Sequence, residues 1–496
     1  MHTARPGLDA FDHVIVLMME NRSFDNLLGY LYEHERPAHF IGRGERSFRG
    51  VAGRTDLFNP DNRTPPVRYP VRKAPSATPE DMCHPCPDPG EEHSPHINRQ
   101  LYGEDPVPEA LLAEPAPMNG FVRDYIEAVS SQVAVDGGEA TPEVYGRIMN
   151  CFTPEAMPVI NGLARQFACS DEWFCSVPSQ TFCNRSFFHS GQSHGWVHNP
   201  PYLKWLENHG PTVFERLSES FAPGEDWRIY WDHRDVEPLT KLIHPHLARR
   251  RSRDRFHSFD SFAADCARGD LPAYTFIQPR LIFNHNDMHP PGAMEREVHS
   301  SLLAGELLIN EVYNAVRHGA KWLRTLLVVT FDEHGGCYDH WPPPKGAAPP
   351  LDDPPYELEK GFRFDRFGVR VPTIFVSPYI APGTVVRAEG DTPFDHTSMI
   401  RTLCAKWGLE ALTDRDRAAP DFSSVFNLGE RDARVDTPEL SPRPYTPVTA
   451  AQADGSLLNN FQKAFGHLIA HHRGLPPPHG ARTVGELLEA VKAGGD

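Results

Sequence analysis

The segment Thr325-Leu-Leu-Val-Val-Thr-Phe331 carries no charge, and two acids, Asp332 and Glu333, follow it at once. A short unbroken apolar run needs cover on both faces, which marks a strand inside a parallel sheet. His13-Val-Ile-Val-Leu-Met-Met19 has the same character and ends in Glu20 and Asn21. Tyr274–Ile277 and Val371–Val376 read the same way, as buried parallel strands. Between such runs lie helical patterns. Ser301 to Val316 sets Leu302, Leu303, Leu307, Leu308, Val312 and Val316 near the helical period. Strands alternating with helices predict an α/β fold, with a mostly parallel central sheet flanked by helices. Ligands of such sheets bind beyond the carboxyl ends of the strands. Both acidic pairs stand at such ends.

The pattern is expected to form one main domain over residues 1–430. Within it, residues 31–120 are rich in Pro, Gly, Arg and His with weak periodicity, and a loop region that long predicts a lid or pocket wall. Residues 431–496 read as a Pro-rich linker and a helical tail packed on the main domain. Leu457, Leu458, Phe461, Phe465, Leu468 and Ile469 make its apolar face, and Thr483 with Glu486 makes a helix start. A net charge of −17 argues against nucleic acid as a partner. It leaves anionic substrates open, because a bound cation reverses the local field. No apolar run is long enough to span a membrane. The first residues show no charged and apolar leader, so the expected location is cytoplasmic, or secreted or periplasmic if an export signal has been removed. Of nine cysteines, Cys83 and Cys86 form the one close pair, read as a loop disulfide or loop thiols rather than a metal or redox site.

Four clusters carry chemistry. Glu20-Asn21 offers a carboxylate and an amide oxygen to a cation, or caps a helix. Asp332-Glu333-His334-Gly335-Gly336, with Tyr338-Asp339-His340, puts adjacent acids near the core, which is costly unless a cation pairs with them. Ser176-Val-Pro-Ser-Gln-Thr-Phe-Cys-Asn184-Arg185 is dense in hydroxyls and ends in an arginine able to clamp phosphate. Asn284-His-Asn-Asp-Met-His289-Pro290 supplies histidine for acid–base work. Together they match phosphoryl transfer, which rests on positioning and charge stabilisation.

These segments resemble the phosphoesterase family that groups non-specific phospholipases C of bacteria and plants with acid phosphatase A. The resemblance lies in Phe11 to Asp25, Ser176-Val-Pro178 with Asn184-Arg185, Asn286 to Pro290, Asp332 to His340, Gly368 to Pro378 and Phe394 to Ser398, in the family's order. It implies an alkaline-phosphatase-like fold and a metal-dependent hydrolase of phosphate esters. It implies a metal held by Glu20, Asn21, Thr181, Asp332 and Glu333. Thr181 would be the nucleophile, with Ser179 as competitor, and would pass through a phosphothreonine. Asn184, Arg185 and His289 would join it in catalysis, His289 as proton donor or as activator of water. His340 would touch substrate. Family members often carry Asp-Pro-Gly-His, whose His contacts phosphate. Here the stretch is Asp88-Pro-Gly-Glu91-Glu92-His93, so His93 or His96 would take that role.

All-oxygen ligands favour calcium, magnesium or manganese, and a nearby His334 or His340 lets zinc or iron compete. The expected substrate is a small phosphoester or a phospholipid head group. Two other readings stand beside it. One is a sulfatase-like ester hydrolase, against which Cys175-Ser-Val-Pro178 lacks an arginine two residues after the proline. The other is a catalytically silent binding protein on the same scaffold.

Overall fold

Among the described residues nine strands form the central sheet: β1 (His13–Met19), β2 (His39–Ile41), β3 (Ala168–Ser170), β4 (Trp227–Trp231), β5 (Phe256–Ser258), β6 (Tyr274–Ile277), β7 (Thr325–Phe331), β8 (Thr373–Val376) and β9 (Thr384–Val386). The computed structural model describes residues 7–292, 301–435 and 437–492; the last residues of the expected tail, 493–496, lie outside it. The strand order is β5-β4-β6-β1-β7-β8-β3-β9-β2. All pairings are parallel except the two made by β8. The mostly parallel α/β architecture expected from the apolar runs is the one observed.

The run Val371–Val376 needs correction. Its strand begins at Thr373, and it runs antiparallel to both neighbours. Pro372 has no N–H to give a ladder. An unbroken apolar run reports burial on two faces, which β8 has, and is silent on direction.

The central strands are apolar because both faces are covered. Val14 to Met19 are at most 1% exposed. Each fully buried aliphatic side chain contributes roughly 1.5–3 kcal/mol. Three helices flank the strand ends or cover the sheet beneath them: α1 (Phe24–Leu28), α2 (Thr181–Ser190) and α3 (Ser301–Arg317). α3 lays Leu302, Leu308, Ile309 and Val312 on β1 and β7.

Residues 31–120 are loop-rich but not coreless. Val51, Tyr69, Ile97 and Leu101 share a second apolar cluster with Phe121, Tyr125 and Tyr338. That cluster ties the region to the segment leaving β7. At the other end of the chain, α4 (Asn460–His472) and α5 (Val484–Lys492) bury Phe461, Phe465, Leu468 and Leu487 with Phe182, Leu239 and Leu281. Thr483 and Glu486 exchange side-chain and backbone hydrogen bonds at the start of α5.

Candidate active site

β1 and β7 pair in parallel from His13 opposite Thr325 to Met19 opposite Phe331. The two chains leave the sheet at the same level. Glu20 and Asp332 therefore emerge side by side, and Asn21 N donates to Asp332 Oδ1 at 3.1 Å. Asn21 holds φ at 51°, a left-handed conformation that asparagine tolerates better than most residues. Gly335 closes over it: a Cβ there would lie 2.5 Å from the Asn21 carbonyl oxygen. The turn after β7 thus requires glycine at this place.

α2 delivers the hydroxyl. Thr181 is its first residue, and Thr181 Oγ1 lies 3.2 Å from Glu20 Oε2 and 3.4 Å from Asn21 Oδ1. Ser179 is turned away and donates to the Val197 carbonyl. Cys175 Sγ points to the Val177 carbonyl at 3.4 Å. Of the candidate nucleophiles, Thr181 alone is hydrogen-bonded to this cluster. Asn184 accepts from Val177 N and donates to the carbonyls of Val177 and Ser179, so its amide pins the turn that precedes α2. Arg185 is fully buried and donates to Glu20, to Asp332 Oδ2 at 3.3 Å and to the Met18 carbonyl.

His289 stands on the far side of Asn21. Its Nδ1 is 2.7 Å from the Pro290 carbonyl, which fixes that nitrogen as the donor. Nε2 then accepts from Asn21 Nδ2 at 3.0 Å. Phe461 stacks on the ring, and Asn459 Nδ2 lies 3.2 Å from Nδ1, so the C-terminal helices reach this histidine. Burial lowers the His289 pKa to about 4, leaving a neutral imidazole at neutral pH.

Neither histidine expected to replace the family's phosphate contact meets Asn21 or Thr181. His93 Nδ1 lies 2.8 Å from the Pro178 carbonyl, and its ring packs on Phe362. His96 pairs with Asp124 at 2.9 Å. His340 pairs with Asp25 at 2.6 Å, in a network closed by Asp339 and Arg370. What stands at Asn21 is Glu91. Its Oε2 accepts from Asn21 Nδ2 at 2.5 Å and its Oε1 from Gln180 Nε2 at 3.1 Å. Sequence reasoning missed it by following the residue type. The signal was the register, since Glu91 directly follows Asp88-Pro-Gly90. Asn459 was missed as well, and no local motif marks it.

Asn21 organises the whole. Its amide nitrogen shares two hydrogens among Glu91, His289 and Glu333 Oε1, the last at 3.1 Å, and its amide oxygen is left toward Thr181. Burial raises Glu20, Glu91 and Glu333 well above the carboxylate range. Arg185 opposes this at Glu20, and neighbouring acids add to it at all three. One guanidinium among so many buried acids leaves an oxygen-rich set of donors suited to a hard divalent cation. Another close group of ligand types, Asp25, Asp339 and His340, already holds Arg370 as its counter-ion. Outside the Asp88–Gly90 strap a cavity of about 730 Å³ runs between it and Asn459 and Lys463.

The model of the phosphoesterase family matches residues 11–410 of this sequence. The chain belongs to the phosphoesterase family. It is 31% identical over 475 residues to the non-specific phospholipase C5 of Arabidopsis thaliana, spanning 91% of this chain and 80% of that protein. It is 34% identical to the non-specific phospholipase C1 of the same plant, over 86% of this chain and 73% of that protein. Phospholipase C B of Mycobacterium tuberculosis is 25% identical over 90% of this chain and 84% of its own length. Among solved structures, a protein of the alkaline phosphatase superfamily from Vibrio parahaemolyticus aligns with a TM-score of 0.31 and 10% identity, covering 53% of this chain and 64% of that one. The phosphoesterase chain is thus placed with the phosphoric ester hydrolases, the enzyme class its motifs predict. Among the described residues no helix is long and apolar enough to cross a membrane.

Proposed function

We propose that this phosphoesterase hydrolyses phosphate esters with Thr181 as nucleophile, through a phosphothreonine, in a metal-dependent reaction. The observation that carries the reading is the placement of Thr181 Oγ1 between Glu20 Oε2 and Asn21 Oδ1 at the start of α2. A divalent cation held by Glu20, Asn21, Thr181, Asp332 and Glu333 would supply positive charge for the alkoxide and for the phosphoryl oxygens. The orientation of Asn21, amide nitrogen to Glu91, Glu333 and His289 and oxygen to Thr181, fits that donor set.

The protein's own groups divide the remaining work. Thr181 Oγ1 attacks phosphorus as the bond from phosphorus to the esterified alcohol breaks, and the alcohol leaves carrying the proton that the threonine hydroxyl gives up. The N-terminus of α2 favours the anionic oxygens gathered there. Arg185 acts as counter-ion to Glu20 and Asp332 through Nε and Nη2, and its Nη1, buried without a protein partner, is left for a phosphoryl oxygen. Asn184 holds the nucleophile's turn. Neutral His289 takes a proton at Nε2 from the water that hydrolyses the phosphothreonine. The relatives' names point to a phospholipid as substrate, and a small soluble phosphoester fits the same chemistry. A rapid acid quench with a 32P-labelled ester tests the reading: label should stay on the peptide containing Thr181. Turnover with no protein-bound phosphate in the pre-steady state would refute the covalent route.

A further inference from the structure

Cys83 and Cys86 are unused by this chemistry. Both are at most 1% exposed, and their sulfurs lie 3.1 Å apart, with Cys83 donating to Cys86. None of the nine cysteines is bonded to another. The pair sits at the root of the strap that carries Asp88 and Glu91. Arg22, next to Asn21, donates to the His84 carbonyl at 2.5 Å and to the Met288 carbonyl at 2.7 Å. Tyr125 donates to the Pro87 carbonyl at 3.1 Å, and Asp88 N to the Pro291 carbonyl at 2.7 Å. The segment Cys83–Asp88 is therefore bolted to both sides of the candidate site.

Cys83, His84 and Cys86 together also have the composition of a soft-metal site. Two observations weigh against a cation there. The group offers three donors where a structural zinc takes four. Arg147 Nη1 lies 3.6 Å from Cys86 Sγ, and Arg22 reaches the His84 carbonyl, so two fixed positive charges already flank the sulfurs. The same charges favour a thiolate. The hydrogen bond from Cys83, with His84 and Arg147 beyond it, outweighs burial and brings Cys86 down to about 5.

We propose that Cys83 and Cys86 are a disulfide-forming pair whose bond locks the strap bearing Asp88 and Glu91 beside the candidate site. With a small disulfide such as oxidised glutathione as oxidant, the Cys86 thiolate attacks one glutathione sulfur and the other leaves as thiolate. Cys83, losing its proton, then attacks the Cys86 sulfur of the mixed disulfide and expels the second glutathione. Two protein thiols are oxidised, and one glutathione disulfide is reduced to two thiols. Burial of both sulfurs means that the strap must open for the oxidant to enter. The ring closed is only a few residues long, so chain entropy gives it little global effect, and the consequence is local to the strap.

The test is a thiol count on the full chain, folded in an oxidised glutathione buffer, then denatured and alkylated. Two of the nine cysteines are in the pair, so seven should take label, and the peptide holding Cys83 and Cys86 should be lighter by two hydrogens until dithiothreitol is added. Cys83→Ser lacks the resolving thiol and should stop at the mixed disulfide, with seven of its eight cysteines labelled and one glutathione on the Cys86 peptide until dithiothreitol is added. Nine labelled cysteines in the parent chain would overturn the proposal. So would a zinc ion bound per chain and lost in Cys83→Ser.

Discussion

Met19 stands opposite Phe331 on the last rung of the ladder between β1 and β7. That single register relation brings residues more than three hundred positions apart in sequence to one place. A slip of one residue would turn Glu20 or Asp332 to the other face of the sheet. Burial of both strands on both faces holds the register, and the candidate site exists only in that register.

Thr181→Val removes the hydroxyl and keeps the shape. Turnover of p-nitrophenyl phosphate, or of its phosphorylcholine analogue, should fall by roughly a thousandfold or more, with an unchanged circular dichroism spectrum. Full activity in this variant would rule out Thr181 as nucleophile.

Arg185→Met leaves Glu20 and Asp332 buried beside each other without their guanidinium. Removing one partner of a buried ion pair costs on the order of 3–5 kcal/mol. Guanidinium unfolding should show that loss in the metal-free protein. Restoration of most of it by a saturating divalent cation would show that charge, rather than packing, is what the arginine supplies.

Glu91→Leu takes away the acceptor that orients the Asn21 amide. A supporting contact of this kind is worth about 10- to 100-fold in activity or metal affinity. Glu91→Gln, which can still accept from Asn21, should recover most of it. His93→Ala and His96→Ala should change kcat by less than about threefold at equal folded fraction, because their partners are Pro178 and Asp124. Steady-state kinetics on the four variants would decide between Glu91 and the histidines.

Dialysis against a chelator should abolish turnover. Calcium, magnesium or manganese should restore it more fully than zinc or iron, since the proposed ligand set is oxygen alone. Activity that survives complete removal of metal, verified by elemental analysis, would overturn the metal-dependent reading.

Glu359 takes its hydrogen bonds from Val197, His198 and Lys204, none of them a candidate metal ligand, and reports on stability. Burial pushes its carboxyl up, but hydrogen bonds from His198, Lys204 and Val197 N outweigh burial and bring it down to about 2. A folded pKa below the unfolded value of about 4.3 stabilises the fold above that pH. The contribution is lost as pH falls from about 4.3 through about 2. Partial exposure screens it, so Glu359→Gln should cost about 1 kcal/mol at neutral pH. Thermal melts at descending pH should converge for the two proteins, and a constant gap would disprove the linkage.

Much of this molecule was legible in its sequence. Apolar runs named the central strands, because a strand covered on two faces admits no charge and only such polar groups as pair within the sheet, as Thr330 does with Thr373. The acids at the ends of those runs named the candidate metal ligands, since little else justifies burying them. Thr181 was named by the resemblance to the phosphoesterase family, with Ser179 as competitor. What the sequence left open depended on contacts between distant segments. The direction of β8 is decided by its neighbours, not by its own residues. Glu91, rather than His93 or His96, meets Asn21 because the strap is fixed by Arg22, Tyr125 and Pro291 from three other parts of the chain. Asn459 reaches His289 only because α4 packs where it does. Local pattern determined which residues must be buried and which carry charge. Tertiary packing alone decided which of those charges meet, because a side chain's partner is set by the path of the chain on the other side of the contact.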